Sequence, residues 1–238
     1  MPLLEASALQ KRFGGVDAVR GVAVRVEAGE LLGLFGPNGA GKTTLFNLIA
    51  GAHLPDRGEI RFAGQDITRL PAFRRARLGI ARTFQVVRPF RDLTVVENVL
   101  AAVPSEGASL HDGVAAAWSL LDHVGLADRA NDRAGALTLG MLKRLEVARA
   151  LATEPRLLLL DEPLAGLTAR EAADLLAFIG GLKARTSIVM VEHNVRLSLP
   201  ACDRAVVMEA GAVIAEGAPD EIRRHPEVVR AYLGEDAA

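Results

Sequence analysis

One cysteine, Cys202, stands among 238 residues, which excludes an internal disulfide and suits a reducing compartment. A small side chain packed in the core is the simplest use of that thiol. No apolar run exceeds about five residues, far short of the ~18 that cross a bilayer as a helix. No apolar stretch of signal-peptide type follows Met1. Neither a membrane span nor a secretory leader is therefore expected. An excess of charge of one sign is missing too: 28 Lys and Arg face 29 Asp and Glu, for a net charge of −1. That balance gives no global footprint for a nucleic-acid partner. What remains, 50% hydrophobic and 24% charged residues, describes a globular chain with room for one large domain or a core plus a subdomain.

The most informative stretch is Gly36-Pro37-Asn38-Gly39-Ala40-Gly41-Lys42-Thr43-Thr44. The apolar run Leu31–Phe35 before it reads as a short buried strand, and Leu45–Ala50 after it reads as a helix closed by Gly51. Strand, glycine-rich turn and helix with the G-x-x-x-x-G-K-[ST] spacing describe a P-loop. Glycines let the backbone curl so that several N–H groups point at one phosphate, and the helix N-terminus adds its positive end. Lys42 is then placed for the β- and γ-phosphates, and the Thr43 hydroxyl for Mg²⁺. A nucleoside triphosphate is the expected ligand.

Elsewhere the chain alternates. Leu3–Phe13 and Val19–Glu27 read as extended around a Gly14-Gly15 turn, and Pro55–Gly58 leads into a hairpin over Glu59–Phe62 and Ala63–Asp66. Pro71 opens a short helix to Arg77, whose Arg74-Arg75-Ala76-Arg77 reads as a solvated face. Ile80–Phe84 is a further strand. From Thr94, with Glu97 at capping-box spacing, to about Ala152 the periodicity is helical, through Val114–Val124 and Leu142–Leu151. Then come a buried strand at Leu157–Leu160, a helix at Ala169–Leu182, a strand at Ser187–Val191, short strands at Ala205–Met208 and Ala212–Ala215, and a polar tail. The expected fold is α/β: a mostly parallel core sheet, an N-terminal antiparallel part, and an inserted helical subdomain. Its division is residues 1–90 and 153–238 for the core and about 91–152 for the insert.

Leu157–Leu160 delivers Asp161-Glu162 at a strand's C-terminal end, where ligands sit in such sheets. Asp161 suits the Mg²⁺ shell, and Glu162 suits a general base for attacking water, which favours hydrolysis over transfer. The competing reading makes Asp161 the cap of a helix begun by Pro163. Three further residues are weak alone. Phe13 is an adenine platform or a core aromatic, Gln85 a Mg²⁺ and water contact or a surface amide, and His193, after Val189–Val191, a site residue or a structural one.

Together with Leu137-Thr138-Leu139-Gly140, these features resemble the ATP-binding subunits of ABC transporters over nearly the whole chain. Phe13-Gly14-Gly15, Ala81–Gln85, the run from Lys143 through Thr168 and the ending from Glu216 to Glu235 are similar to the ATPase subunits of branched-chain amino acid importers. The resemblance implies that Gln85 couples the site to a membrane partner and that His193 contacts the γ-phosphate. It also implies that Thr138 and Gly140 close over the nucleotide of a second ATPase subunit, of like or different sequence. ATP and Mg²⁺ would be the cofactors. Integral permease subunits, and through them a solute-binding protein, would be the partners, docked beside Gln85 and Val86–Phe90. The chain would lie at the cytoplasmic face of the membrane. Two stretches depart from the family: Leu-Ser-Gly-Gly-Gln is replaced by Leu137-Thr138-Leu139-Gly140-Met141, and the loop after Glu162, which usually ends in Asp, reads Leu164-Ala165-Gly166-Leu167-Thr168. Either the altered motifs still act or one of two composite sites is weaker. A soluble ABC ATPase acting on DNA, ribosomes or cluster assembly, and an exporter ATPase, are the alternatives.

Overall fold

In a computed structural model, residues 1–84, 87–104 and 109–233 are described. The N-terminal strands β1 (Leu4–Phe13) and β2 (Val16–Val26) pair antiparallel, and β4 (Arg57–Phe62) and β5 (Gln65–Asp66) extend them into a four-stranded sheet ordered β2-β1-β4-β5. Between these pairs lie β3 (Leu31–Phe35) and α1 (Lys42–Ala50). The helix α2 (Ala72–Arg77) leads to β6 (Ile80–Arg82). Helices α3 (Val95–Leu100), α4 (Leu110–His123) and α5 (Leu139–Leu151) follow, then β7 (Leu157–Asp161), α6 (Ala169–Leu182), β8 (Ser187–Val191) and the short α7 (Val195–Ser198). The strands β9 (Arg204–Glu209) and β10 (Ala212–Gly217) and the helices α8 (Pro219–Arg224) and α9 (Pro226–Leu233) complete the described residues.

The larger sheet runs β10-β9-β3-β8-β7-β6. All its neighbours are parallel except the β9–β10 pair. Its central strands are unbroken apolar runs because both faces are covered. Side chains alternate: Leu32, Leu34, Leu157, Leu159, Val189 and Val191 face α1 and the antiparallel sheet. Leu31, Phe35, Leu158, Leu160, Ile188 and Met190 face α6 and its neighbours. Each fully buried aliphatic contributes roughly 1.5–3 kcal/mol. A third apolar cluster, from Val95 through Leu121 and Leu145 to Ala152, is formed by α3, α4 and α5.

Three sequence expectations change, and one competing reading falls. Arg75 is not part of a solvated face: it is completely buried and donates to the carbonyls of Leu48 and Ile49 at the end of α1 and to those of Leu70 and Thr68. Helix C-terminal carbonyls lack intrahelical partners, and a guanidinium satisfies several at once. The helix expected from Leu142 begins at Leu139, capped by Thr138, which accepts the Met141 N–H at 3.4 Å. No helix starts at Pro163, so Asp161 is the last residue of β7 and not a cap. The polar tail contains α8 and α9, whose Ile222 and Val228 are buried in the main core.

Candidate functional site

The P-loop is shaped by what two glycines permit. Gly36 has φ +144° and Gly41 φ +98°. A Cβ on Gly36 would run into the carbonyl of Met208, and one on Gly41 into that of Ala18. Gly41 also caps α1 without any side-chain acceptor, so the first N–H groups of the helix face the loop. Lys42 reaches back over the turn, donating to the carbonyls of Gly36 at 2.5 Å and Pro37 at 3.0 Å.

Around this turn lies a cavity of about 360 Å³ lined by Asn38 through Thr44, by Val16, Asp17 and Ala18 at the start of β2, and by Glu162 and Ala210. Glu162 arrives there through an unusual backbone. Its φ is +46°, a left-handed conformation that costs a side-chain-bearing residue about 1 kcal/mol or more. Its N–H donates to Val191 O at 3.0 Å and its carbonyl accepts from Lys143 at 3.2 Å, which holds the turn from both sides.

Asp161 sits one residue earlier and points the other way. With Thr43 it lines a neighbouring groove of about 830 Å³ that continues past Arg82 and Phe84 to Phe73, Arg88 and Arg149. Burial raises the Asp161 carboxyl above the usual carboxylate range, with Glu162 adding to the rise and Arg82 and Lys143 opposing it. Arg82 is 3.7 Å from Asp161, donates to Asn47 Oδ1 of α1 at 2.9 Å, and lies between the rings of Phe46 and Phe84. The same edge is tied to α5: Glu146 accepts the Phe84 N–H at 2.7 Å, and burial raises its carboxyl. Oxygen donors from Thr43 and Asp161 on one groove fit Mg²⁺, which takes one or two carboxylates and completes its shell with phosphates and water.

The other expected residues lie apart. Phe13, 43% exposed at the end of β1, meets His53 edge-on with ring centroids 5.3 Å apart and carries the Lys11 ammonium over its face. His193 follows β8, is largely exposed, and lines a separate cavity of about 850 Å³ with Asn194, Arg196 and Tyr232. Thr138 and Gly140 occupy the N-terminus of α5 and do not line the P-loop cavity. Leu139, the departure from the usual signature, is 44% exposed. Gln85, with Val86 beside it, lies outside the described residues.

A family model described as ABC transporter matches residues 19–165, the span from β2 through the P-loop to the turn after Glu162. The chain belongs to the ABC transporter ATP-binding family. As an ABC ATPase subunit it is 42% identical to the high-affinity branched-chain amino acid transport ATP-binding protein BraF of Pseudomonas aeruginosa, over 98% of both chains. It is 40% identical, over the same share of each, to the corresponding protein LivG of Escherichia coli K12. A second model, described as branched-chain amino acid ATP-binding cassette transporter, matches residues 212–238. Among solved structures, an ABC transporter cassette in its ADP conformation superposes with TM-score 0.90 at 32% identity, covering 98% of this chain and 99% of that one. A nucleotide-free cassette gives 0.88 at the same identity and coverage. The ABC ATPase fold, nucleotide binding and ATP hydrolysis expected from the sequence therefore hold for this chain.

Sequence reasoning missed four residues of this ABC cassette. Arg82 and Glu146 act across segments far apart in the chain, Lys143 reaches the turn after the next strand, and Glu192 sits in the shadow of His193. Only the position of Glu192 at the end of an apolar strand, matching that of Asp161-Glu162, was a readable signal.

Proposed function

We propose that this chain powers the uptake of branched-chain amino acids through separate permease subunits, using Mg²⁺ and ATP. The cavity shared by Asn38–Thr44 and Glu162 carries the reading. The N–H groups of Gly36, Pro37-Asn38-Gly39-Ala40 and Gly41 onward, less that of proline, surround the phosphates, and Thr44 continues the same helical end. Lys42 exchanges its carbonyl partners for β- and γ-phosphate oxygens, and Glu162 takes a proton from the attacking water. Thr43 and Asp161, with Gln85, would hold Mg²⁺, which supplies neutralisation of the phosphate charge. Phe13 stacks on adenine and His193 donates to the γ-phosphate. Thr138 and Gly140, which do not line this cavity, cover the nucleotide of a second ATPase subunit.

Residues 1–90 with 153–238 act as the catalytic core, and about 91–152 as the helical subdomain that carries Thr138. No described helix is long and apolar enough to cross a membrane, so the work is exported to permease subunits at the cytoplasmic face. The groove with exposed Phe73 and Phe84 at its mouth is their docking surface. A solute-binding protein delivers cargo to those permeases. The amino-acid cargo rests on the names of the relatives and on the match at residues 212–238. The test is transport by the chain reconstituted with its permeases in vesicles. ATP-dependent accumulation of labelled leucine is expected, and accumulation of a different solute class, or efflux, contradicts the reading.

A further inference from the structure

Glu192 follows β8 directly and is completely buried. Its backbone N–H donates to Leu34 O at 3.2 Å, which fixes it beside the strand of the P-loop. Its Oε1 accepts the Leu164 N–H at 2.9 Å, in the loop two residues past Glu162. Its Oε2 is buried with no hydrogen-bond partner among the described residues. An uncompensated carboxylate oxygen in such a place is costly to leave unpaired. The basic group it faces is His193 Nδ1, 4.0 Å away. That is beyond a hydrogen bond, but the imidazole is largely exposed, and such contacts often tighten only when substrate is held.

We propose that Glu192 is a positioning residue for His193: its free oxygen shares one proton with Nδ1 and thereby keeps Nε2–H turned outward as a donor. The inference rests on the reading of His193 as a γ-phosphate contact. Proton counting makes it specific. With one proton between Oε2 and Nδ1, the pair is either carboxylic acid and neutral imidazole or carboxylate and imidazolium. Both leave Nε2–H in place. When that proton is lost, the carboxylate holds Nδ1–H, Nε2 becomes a bare acceptor, and it repels phosphate oxygens. Burial raises the Glu192 carboxyl, while the Leu164 N–H, the charge of His193 and the His193 backbone N–H oppose the rise and Glu162, from the loop after β7, adds to it. The Cys202 thiol, from the segment before β9, also feels Glu192 but is pushed up to about 12 by burial and stays neutral in the working range. One side chain thus joins the loop after Glu162 to the histidine loop.

The substitution Glu192→Gln discriminates. One amide oxygen must keep accepting the Leu164 N–H, so the NH₂ faces Nδ1 and donates to it, fixing Nε2–H without a titrating proton. Full-length chain labelled with ¹⁵N-histidine, assigned through His193→Ala, reports the tautomer by NMR. The expected result is a wild-type His193 that passes to the Nδ1–H form at alkaline pH, a Glu192→Gln His193 that stays Nε2–H, and a Glu192→Leu His193 that averages both. In the assembled complex, Glu192→Gln should flatten the alkaline limb of kcat, and Glu192→Leu should lower kcat about 10-fold with little change in KM. One shared tautomer ratio and pH profile for all three proteins overturns the proposal. His193→Ala turning over at the wild-type rate would instead remove the γ-phosphate reading and leave the tautomer result standing.

Discussion

Glu162 and Glu192 stand side by side at the ends of neighbouring parallel strands, since Asp161 pairs with Val191. One turns through a left-handed backbone into the P-loop cavity, and the other stays in the core with one oxygen on a backbone N–H. Residue type and strand position are the same, so what separates a proposed base from a proposed positioning group is a single φ angle and the space that it opens. The same contrast divides the basic residues. Lys42 bends over the P-loop, while Arg75 is sealed against the end of the same helix. One end of α1 is arranged for a ligand and the other for the fold.

Substitutions at the two ends of α1 should therefore separate cleanly. Lys42→Ala is expected to weaken nucleotide binding at least ~10²-fold, through loss of charge-assisted contacts to the phosphates. Equilibrium titration with a fluorescent ATP analogue checks it, and unchanged affinity would erase the contrast. Arg75→Met leaves four carbonyls without their donor and should cost about 3 kcal/mol in urea unfolding, while nucleotide affinity at permissive temperature stays within about 2-fold. A large affinity loss there would mean that both ends of α1 serve the ligand.

A smaller effect separates the helical cluster from the catalytic end. Thr94 accepts the Glu97 N–H at 3.3 Å and Glu97 accepts that of Thr94 at 2.7 Å, a closed capping box on α3. Thr94→Ala should cost about 1 kcal/mol of stability, measured by thermal melting, with ATP affinity unchanged. Smallest of all is the expected reactivity of Cys202. Buried and pushed up to about 12, it should resist a thiol reagent at pH 8 for as long as the chain is folded. Rapid labelling would place that part of the core at the surface.

The elements readable from sequence were those that local pattern decides. Leu157–Leu160 read as a doubly covered strand, the helix expected at Ala169–Leu182 is α6, and the glycines of the P-loop named their ligand. Arg75 was misread because its run of arginines resembles a wet helix face. Its burial depends on meeting carbonyls of Leu48 and Ile49, which no local window contains. The start of α5 was missed because Leu139-Gly140 breaks the helical period just where Thr138 caps it. Of the site, the P-loop and the Asp161-Glu162 pair were legible, since each motif is contiguous. The Arg82 contact to Asp161 and the Glu146 contact to Phe84 were not, because the first spans the whole helical insert and the second joins the core to a helix late in that insert. Phe13, His193 and Thr138 lie apart from the P-loop cavity, and on the proposed reading Thr138 serves a second subunit, which a single chain's pattern does not encode.

The central claim is that the triphosphate held by Gly36–Thr44 is cleaved by water that Glu162 activates. Single-turnover assay of Glu162→Gln in the assembled complex with γ-labelled ATP tests it most directly. The account predicts that ATP affinity stays within about 3-fold while phosphate release falls at least ~10²-fold, as for loss of a general base. Phosphate release at the wild-type rate from that variant would contradict it.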